Sequence, residues 1–303
     1  MIQGLKRRVG SFLVDQACRR VVRTPPLRTD SRPLVFASMV SHGDLLRYLM
    51  AIKSIHRFFN CGRVVLVDDG TLTGSDVAML NSHLGNPAIV PIRSVDTGPC
   101  PKGGTWERLL TIAELAQENY VIQVDSDLLA VSPLQEVADA IERNASFTQA
   151  GDPGVAVTDA EAIAAKARAE GGTYVGSLAE QVMDQISAPF GRRYVHGSSG
   201  FAGFPRGRDL RPFIHAFSVE MSTKLGAEKW NQWGSEQAAS NYIVANCPGA
   251  VALDYELYPI HWQDRPIDRA KLIHFIGSYR YYRGTYRRYA QRVIREMQAE
   301  TNG

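Results

Sequence analysis

Tyr120-Val121-Ile122-Gln123-Val124-Asp125-Ser126-Asp127 carries two carboxylates, one residue apart, to the end of an apolar run rich in β-branched residues. On an extended backbone the side chains at i and i+2 point to the same side, so Asp125 and Asp127 can converge on one cation while Ser126 turns away. Such a pair suits a hard divalent metal that holds a diphosphate. It suits equally a turn in which one aspartate caps the backbone and the other is solvated, and Asp-x-Asp alone does not separate the two. Lys102 and Arg108 precede and open the helical pattern that leads into this run, which makes them candidate phosphate contacts or ordinary surface charges. Ser235 is placed to cap a helix, with Glu236 in its first turn where negative charge is favoured.

The elements that must position these groups follow from periodicity. Arg108 to Asn119 reads as an amphipathic helix with Leu109, Ile112, Ala113 and Ala116 on one face. A helix followed by a strand with acids at its carboxyl end is where open α/β sheets keep their ligands. Upstream, a strand Leu34 to Met39, a helix from about Asp44 to Phe59 and a strand Val64 to Val67 set the same alternation. The Asp68-Asp69-Gly70 turn comes next, and Thr73 is placed to cap a helix starting near Asp76. Ala88 to Ile92 is apolar, and Pro91 assigns it to a sheet edge or strand end. Downstream, helices are expected over Asp159 to Glu170, Ser177 to Ile186, Asp209 to Ser222 and Ser235 to Ala245. Glycine-rich extended chain is expected over Arg193 to Phe204, with short strands at Val251 to Leu253 and Lys271 to Phe275. Strand-helix alternation predicts an α/β fold with a mixed, mainly parallel sheet flanked by helices.

The chain has 303 residues, 45% of them hydrophobic, enough for one large α/β domain or two small ones. A net charge of +3 from 34 basic and 31 acidic side chains is too balanced for nucleic acid as the main partner. Four scattered cysteines without a Cys-x-x-Cys pair suggest neither zinc nor a disulfide framework. No run of about 18 apolar residues and no signal-peptide hydrophobic region is present, so a cytoplasmic protein is expected. Residues 1–30 interleave Lys6, Arg7, Arg8, Arg19, Arg20 and Arg23 with Leu5, Val9, Phe12, Leu13, Ala17 and Val21. This basic amphipathic segment either lies on an anionic membrane surface or packs on the domain itself. The Arg- and Tyr-rich tail, 286–303, reads as a basic helix with membrane contact ahead of nucleic acid.

Several segments taken in order resemble the GT-A glycosyltransferases, and among them the retaining enzymes of the galactosyltransferase and glycogenin type (glycosyltransferase family 8-like). They are Asp68-Asp69-Gly70-Thr71-Leu72-Thr73, Asp125-Ser126-Asp127, Val131-Ser132-Pro133-Leu134, Ser198-Ser199-Gly200-Phe201, Ser235 to Asn241 and His274-Phe275-Ile276-Gly277-Ser278-Tyr279-Arg280. The resemblance implies a GT-A domain over 31–285, a UDP-sugar donor, a manganese or magnesium ion, and transfer to a hydroxyl of a saccharide or lipid-linked glycan. It implies metal ligation by Asp125, Asp127 and His274, and catalytic roles for Gln237 and Glu236 beside the sugar. Donor contacts are implied for Asp69, Lys102, Arg108, Ser126, Ser199, Gly200, Gly277 and Arg280. Two departures stand out. Arg280 occupies the lysine position of the His-x-x-Gly-x-x-Lys motif, and Ser198 stands where asparagine is common.

Three other assignments compete. An inverting enzyme needs a base, for which Asp152 and Asp254 are candidates. A sugar nucleotidyltransferase would show a glycine-rich basic loop after the first strand, where Ser41-His42-Gly43-Asp44 stands instead. A degenerate glycan-binding or scaffold domain would have little use for Asp125, Asp127 and His274 together.

Overall fold

The computed structural model describes the backbone of residues 2–187, 190–262 and 265–300, with side chains for all of these except residues 2–9 and 282. The chain begins with helix α1 (Ile2–Cys18) and a 3-10 turn, then β1 (Leu34–Val40), α2 (Leu45–His56), β2 (Arg63–Asp68), α3 (Gly74–Leu84) and β3 (Ala88–Pro91). Next come α4 (Trp106–Leu115), β4 (Tyr120–Val124), β5 (Leu128–Ala130), α5 (Gln135–Glu142), β6 (Phe147–Ala150) and β7 (Thr158–Asp159). These lead into α6 (Ala160–Glu170), α7 (Val175–Gln181), β8 (Arg193–Tyr194) and β9 (Gly197–Phe204). The last elements are α8 (Arg211–Leu225), α9 (Ala227–Trp230), α10 (Ser235–Asn246), β10 (Val251–Leu253), β11 (Leu272–His274) and α11 (Thr285–Ala299).

Seven strands form one sheet in the order β10-β6-β9-β4-β1-β2-β3, with β3 at the edge as Pro91 requires. β1 and β2 are parallel, with Val35 opposite Arg63 and Val40 opposite Asp68. A parallel pair needs a crossover, and α2 supplies it. β6 is parallel to β10 and antiparallel to β9, so the sheet is mixed. Strands buried on both faces read as continuous apolar runs, which is why Leu34 to Val40 and Tyr120 to Val124 show no alternation.

The chain sorts into two compact units, residues 1–89 with 124–135 and 256–303, and residues 90–123 with 136–255. In the first unit α1 buries Val14, Ala17 and Cys18 and packs on α11 and α2. In the same unit α3 starts on a Thr73–Asp76 capping box, the cap expected for Thr73. In the second unit α10 lies along β9, with Ala239, Ile243 and Val244 fully buried.

Two local expectations are corrected. The apolar strand stops at Val124, and Asp125 to Asp127 form a turn into β5, so these carboxylates are not on extended chain. The cap of α10 is Gly234, at φ +100, and not Ser235, whose Oγ instead accepts a hydrogen bond from Trp106 Nε1 at 2.9 Å. Among the described residues no helix is long and apolar enough to cross a membrane. The four cysteines are buried and free.

Candidate functional site

In the first unit, convergence at Asp125 and Asp127 is built by strand pairing. β5 runs antiparallel to β11 with His274 opposite Leu128, and the Phe275 amide donates to the Asp127 carbonyl at 2.9 Å. The backbone of His274 is held from its other side too. Its amide donates to the Pro259 carbonyl at 3.0 Å, and its carbonyl accepts from the His261 amide at 2.8 Å.

One ligand atom from each of Asp125, Asp127 and His274 lies within 4.8 Å of the others. His274 Nε2 is 3.1 Å from Asp127 Oδ1. An octahedral ion with ligands at about 2.1 Å separates neighbouring ligand atoms by about 3 Å, so this edge has the length a bound ion requires. Two carboxylates and one imidazole fit manganese or magnesium and not a thiolate-seeking metal. Arg280 Nη2 donates to Asp127 Oδ2 at 2.9 Å, and Nη1 lies 4.0 Å from Asp44 Oδ1. Gly277, at φ +55, lets the chain turn so that Arg280 Nε reaches back to the Gly277 carbonyl at 2.7 Å.

Burial opposes charge on Asp127, yet the adjacent imidazole and guanidinium outweigh it and hold the carboxyl below its ordinary pKa. For His274 burial also opposes charge, and the Asp127 carboxylate, helped by Asp125, raises the imidazole above its ordinary value. An imidazole held beside two carboxylates offers nitrogen and oxygen lone pairs together, the donor set a divalent cation takes.

Around this group, Ser126 is half-buried in the turn and Gly277 is exposed. At the end of β2, Asp69 Oδ1 accepts from the Thr71 amide at 3.0 Å and the Thr71 hydroxyl at 2.6 Å. Its carboxylate thus serves the Asp-Gly turn.

The second unit gathers a different set. Glu236, 2% exposed, accepts through Oε2 from the Thr105 hydroxyl at 2.8 Å and the Ser199 hydroxyl at 3.2 Å. Its Oε1 lies 3.6 Å from Arg108 Nη2, and Arg108 is itself buried. Gln123 Nε2 donates to the Ser199 carbonyl, and the Gly200 amide donates to Ser198 Oγ at 3.3 Å. Gln237 is half-buried, Gly200 is buried and Lys102 is exposed. Asp152 and Asp254 are both exposed.

Sequence reasoning missed two participants. Thr105 stands at φ +76, the third left-handed residue in a row after Gly103 and Gly104, an uncommon conformation for a β-branched residue. Its hydroxyl meets a carboxylate 131 positions away, and Gly103-Gly104 signals a loop without naming that partner. Asp44, beside Arg280, looked only like a helix start.

The sequence matches no protein-family model and no curated protein. Among solved structures the chain is similar to the galactosyltransferase LgtC in complex with donor and acceptor sugar analogues, at 12% identity over 88% of this chain and 95% of that one, with a TM-score of 0.48. It is similar to mouse xyloside xylosyltransferase 1, at 13% identity over 80% of this chain and 97% of that one, with a TM-score of 0.45. A third likeness is to core-mannan synthase A from Aspergillus fumigatus in an Mn/GDP form, at 11% identity over 77% of this chain and 75% of that one, with a TM-score of 0.41. Independently of these likenesses, the described residues hold an Asp-Asp-His group fit for a divalent ion.

Proposed function

We propose that this chain is a metal-dependent GT-A glycosyltransferase that moves a sugar from a UDP-sugar to a hydroxyl of a saccharide or lipid-linked glycan, with retention. The observation that carries the proposal is the convergence of Asp125, Asp127 and His274 within 4.8 Å, with Arg280 on the same carboxylate. A divalent ion bound there would neutralise the diphosphate as it leaves. Arg280 binds a phosphate oxygen through its planar fork, a role that tolerates its replacement of the lysine seen in the motif. Glu236 orients sugar hydroxyls and Gln237 lies against the anomeric carbon. Arg108, buried 3.6 Å from Glu236, keeps that acid aimed. Asp69, Lys102, Ser126, Ser199, Gly200 and Gly277 complete the donor contacts. With retention the departing phosphate takes the acceptor proton on the same face, so no separate base is needed.

Calorimetry of UDP, ADP and GDP with and without manganese tests this. UDP should bind far more tightly than the other two, and only with the ion. Equal affinities, or binding indifferent to metal, would remove the UDP-sugar assignment.

A membrane-side location is a second reading, favoured by the exposed Phe12 (59%) and Leu13 (40%) of α1 next to exposed Arg19, Arg20 and Arg23. The side chains of Leu5, Lys6, Arg7, Arg8 and Val9 lie outside the described residues. Deleting residues 1–30 would also remove the buried Val14, Cys18 and Val21, so the cleaner variant is Phe12→Ser with Leu13→Ser. It should lose cosedimentation with anionic vesicles and keep its melting temperature. Unchanged vesicle binding would sink the membrane role.

A further inference from the structure

Trp233 is 70% exposed, the most open large hydrophobic side chain among the described residues, and Tyr174 beside it is 44% exposed. Their ring centroids are 6.5 Å apart with planes at 51°. Single exposed apolar residues are ordinary, and here two large exposed rings stand side by side. Both rings belong to the second unit.

The display is held in place from below. Trp230, 1% exposed, packs edge-on against Trp106 at 5.8 Å and donates from Nε1 to Ser218 Oγ at 2.9 Å. Gly234, at φ +100, follows, and a Cβ there would sit 1.5 Å from the Tyr174 hydroxyl. Only glycine therefore lets the tyrosine close over this turn. Residues 231–233 are thus strung between two anchors, one buried indole and one glycine under a phenol, and Trp233 is turned outward between them. Gly104 completes the floor, its Cβ position 4.0 Å from Trp233 Cα. Tyr174 also feels Glu236: burial first, then that carboxylate, raise its phenol above the ordinary value.

We infer that Tyr174 and Trp233 form the stacking platform for a sugar ring of the acceptor. This rests on the glycosyltransferase proposal and adds the acceptor's binding surface to it. The axial C–H face of a pyranose is apolar while its rim of hydroxyls is polar, so it matches an exposed ring that offers a flat apolar face and a polar edge. The two residues before Trp233 along the chain suit the rim: Asn231 and Gln232 are both exposed polar side chains. A folded protein partner would need about 800 Å² on this side, far beyond two rings.

The test uses the full chain and a panel of free glucose, galactose, mannose, N-acetylglucosamine, lactose and maltose, followed by saturation-transfer NMR and tryptophan fluorescence. At least one sugar should receive saturation at its ring C–H protons and perturb the emission. Trp233→Ala should lose that binding by about tenfold or more, Trp233→Phe should retain most of it, and both should melt as the wild type. UDP–manganese calorimetry on the same variants should be unchanged. If UDP fails to bind while sugars bind through Trp233, the transferase proposal falls and the platform stands. No sugar binding, equal binding by Trp233→Ala, or a variant defect confined to the UDP-sugar's own affinity would each overturn the platform.

Discussion

Asp127 and Glu236 are both buried carboxylates facing a guanidinium, and they differ in the other groups around them. Asp127 has Arg280 at 2.9 Å, His274 at 3.1 Å and a second carboxylate, Asp125, within the same group. Glu236 has Arg108 at 3.6 Å and two hydroxyl donors, Thr105 and Ser199. The first set offers several lone pairs to one point, which is what a cation needs. In the second set two hydroxyls donate to the carboxylate and a guanidinium lies beside it, which fixes the acid's orientation. On the proposed function these similar ion pairs would serve different ends, a cation site at Asp127 and an oriented acid at Glu236.

The comparison breaks most easily at Asp127. Asp127→Asn should weaken metal-dependent UDP binding by at least about 100-fold, since it removes a ligand and not merely a supporting contact. Calorimetry with manganese reads this directly, and affinity within threefold of the wild type would mean the group holds no functional ion.

Glu236→Gln should leave that metal-dependent affinity unchanged while lowering sugar transfer by about 100-fold. It should also lower stability, because the buried Arg108 loses the carboxylate charge 3.6 Å away. Denaturant melts and a transfer assay give the two numbers. Full transfer with the expected loss of stability would reduce Glu236 to a structural acid.

A smaller effect sharpens the second region. Thr105→Gly relieves a β-branched residue at φ +76, a strain of about 1 kcal/mol or more, and deletes one hydrogen bond to Glu236 of similar worth. Stability should therefore move little while transfer falls several-fold. A large destabilisation would show that the hydroxyl matters to the fold and not to the acid's aim.

The smallest effect is a titration. His196 Nδ1 lies 2.7 Å from Glu180 Oε1, and that hydrogen bond, against burial, raises the histidine above its ordinary value. A raised folded pKa means the protonated pair contributes fully below the unfolded value of about 6.5 and its contribution is lost as pH climbs through the folded value. The melting temperature should sag over that window in the wild type and less in His196→Gln, where the Asp127–His274 pair remains. Identical profiles would exclude the His196–Glu180 pair as a source of pH dependence.

Periodicity and composition by themselves determined the α/β layering, the placement of β1, β2 and α4, the Thr73 cap and the edge position of Pro91. Each rests on signals within about a dozen neighbouring residues, the range over which apolar spacing and turn residues act. They also singled out Asp125 and Asp127 as a pair, whereas His274 was joined to them only by the resemblance to the GT-A glycosyltransferases. Tertiary structure alone decided how they meet. β5 is three residues long, too short to show a period, yet its pairing with β11 carries His274 to Asp127 and replaces the extended-strand geometry with a turn. Arg280 reaches Asp127 across 153 positions and Thr105 reaches Glu236 across 131, and no local preference encodes contacts that exist only once distant segments are packed side by side.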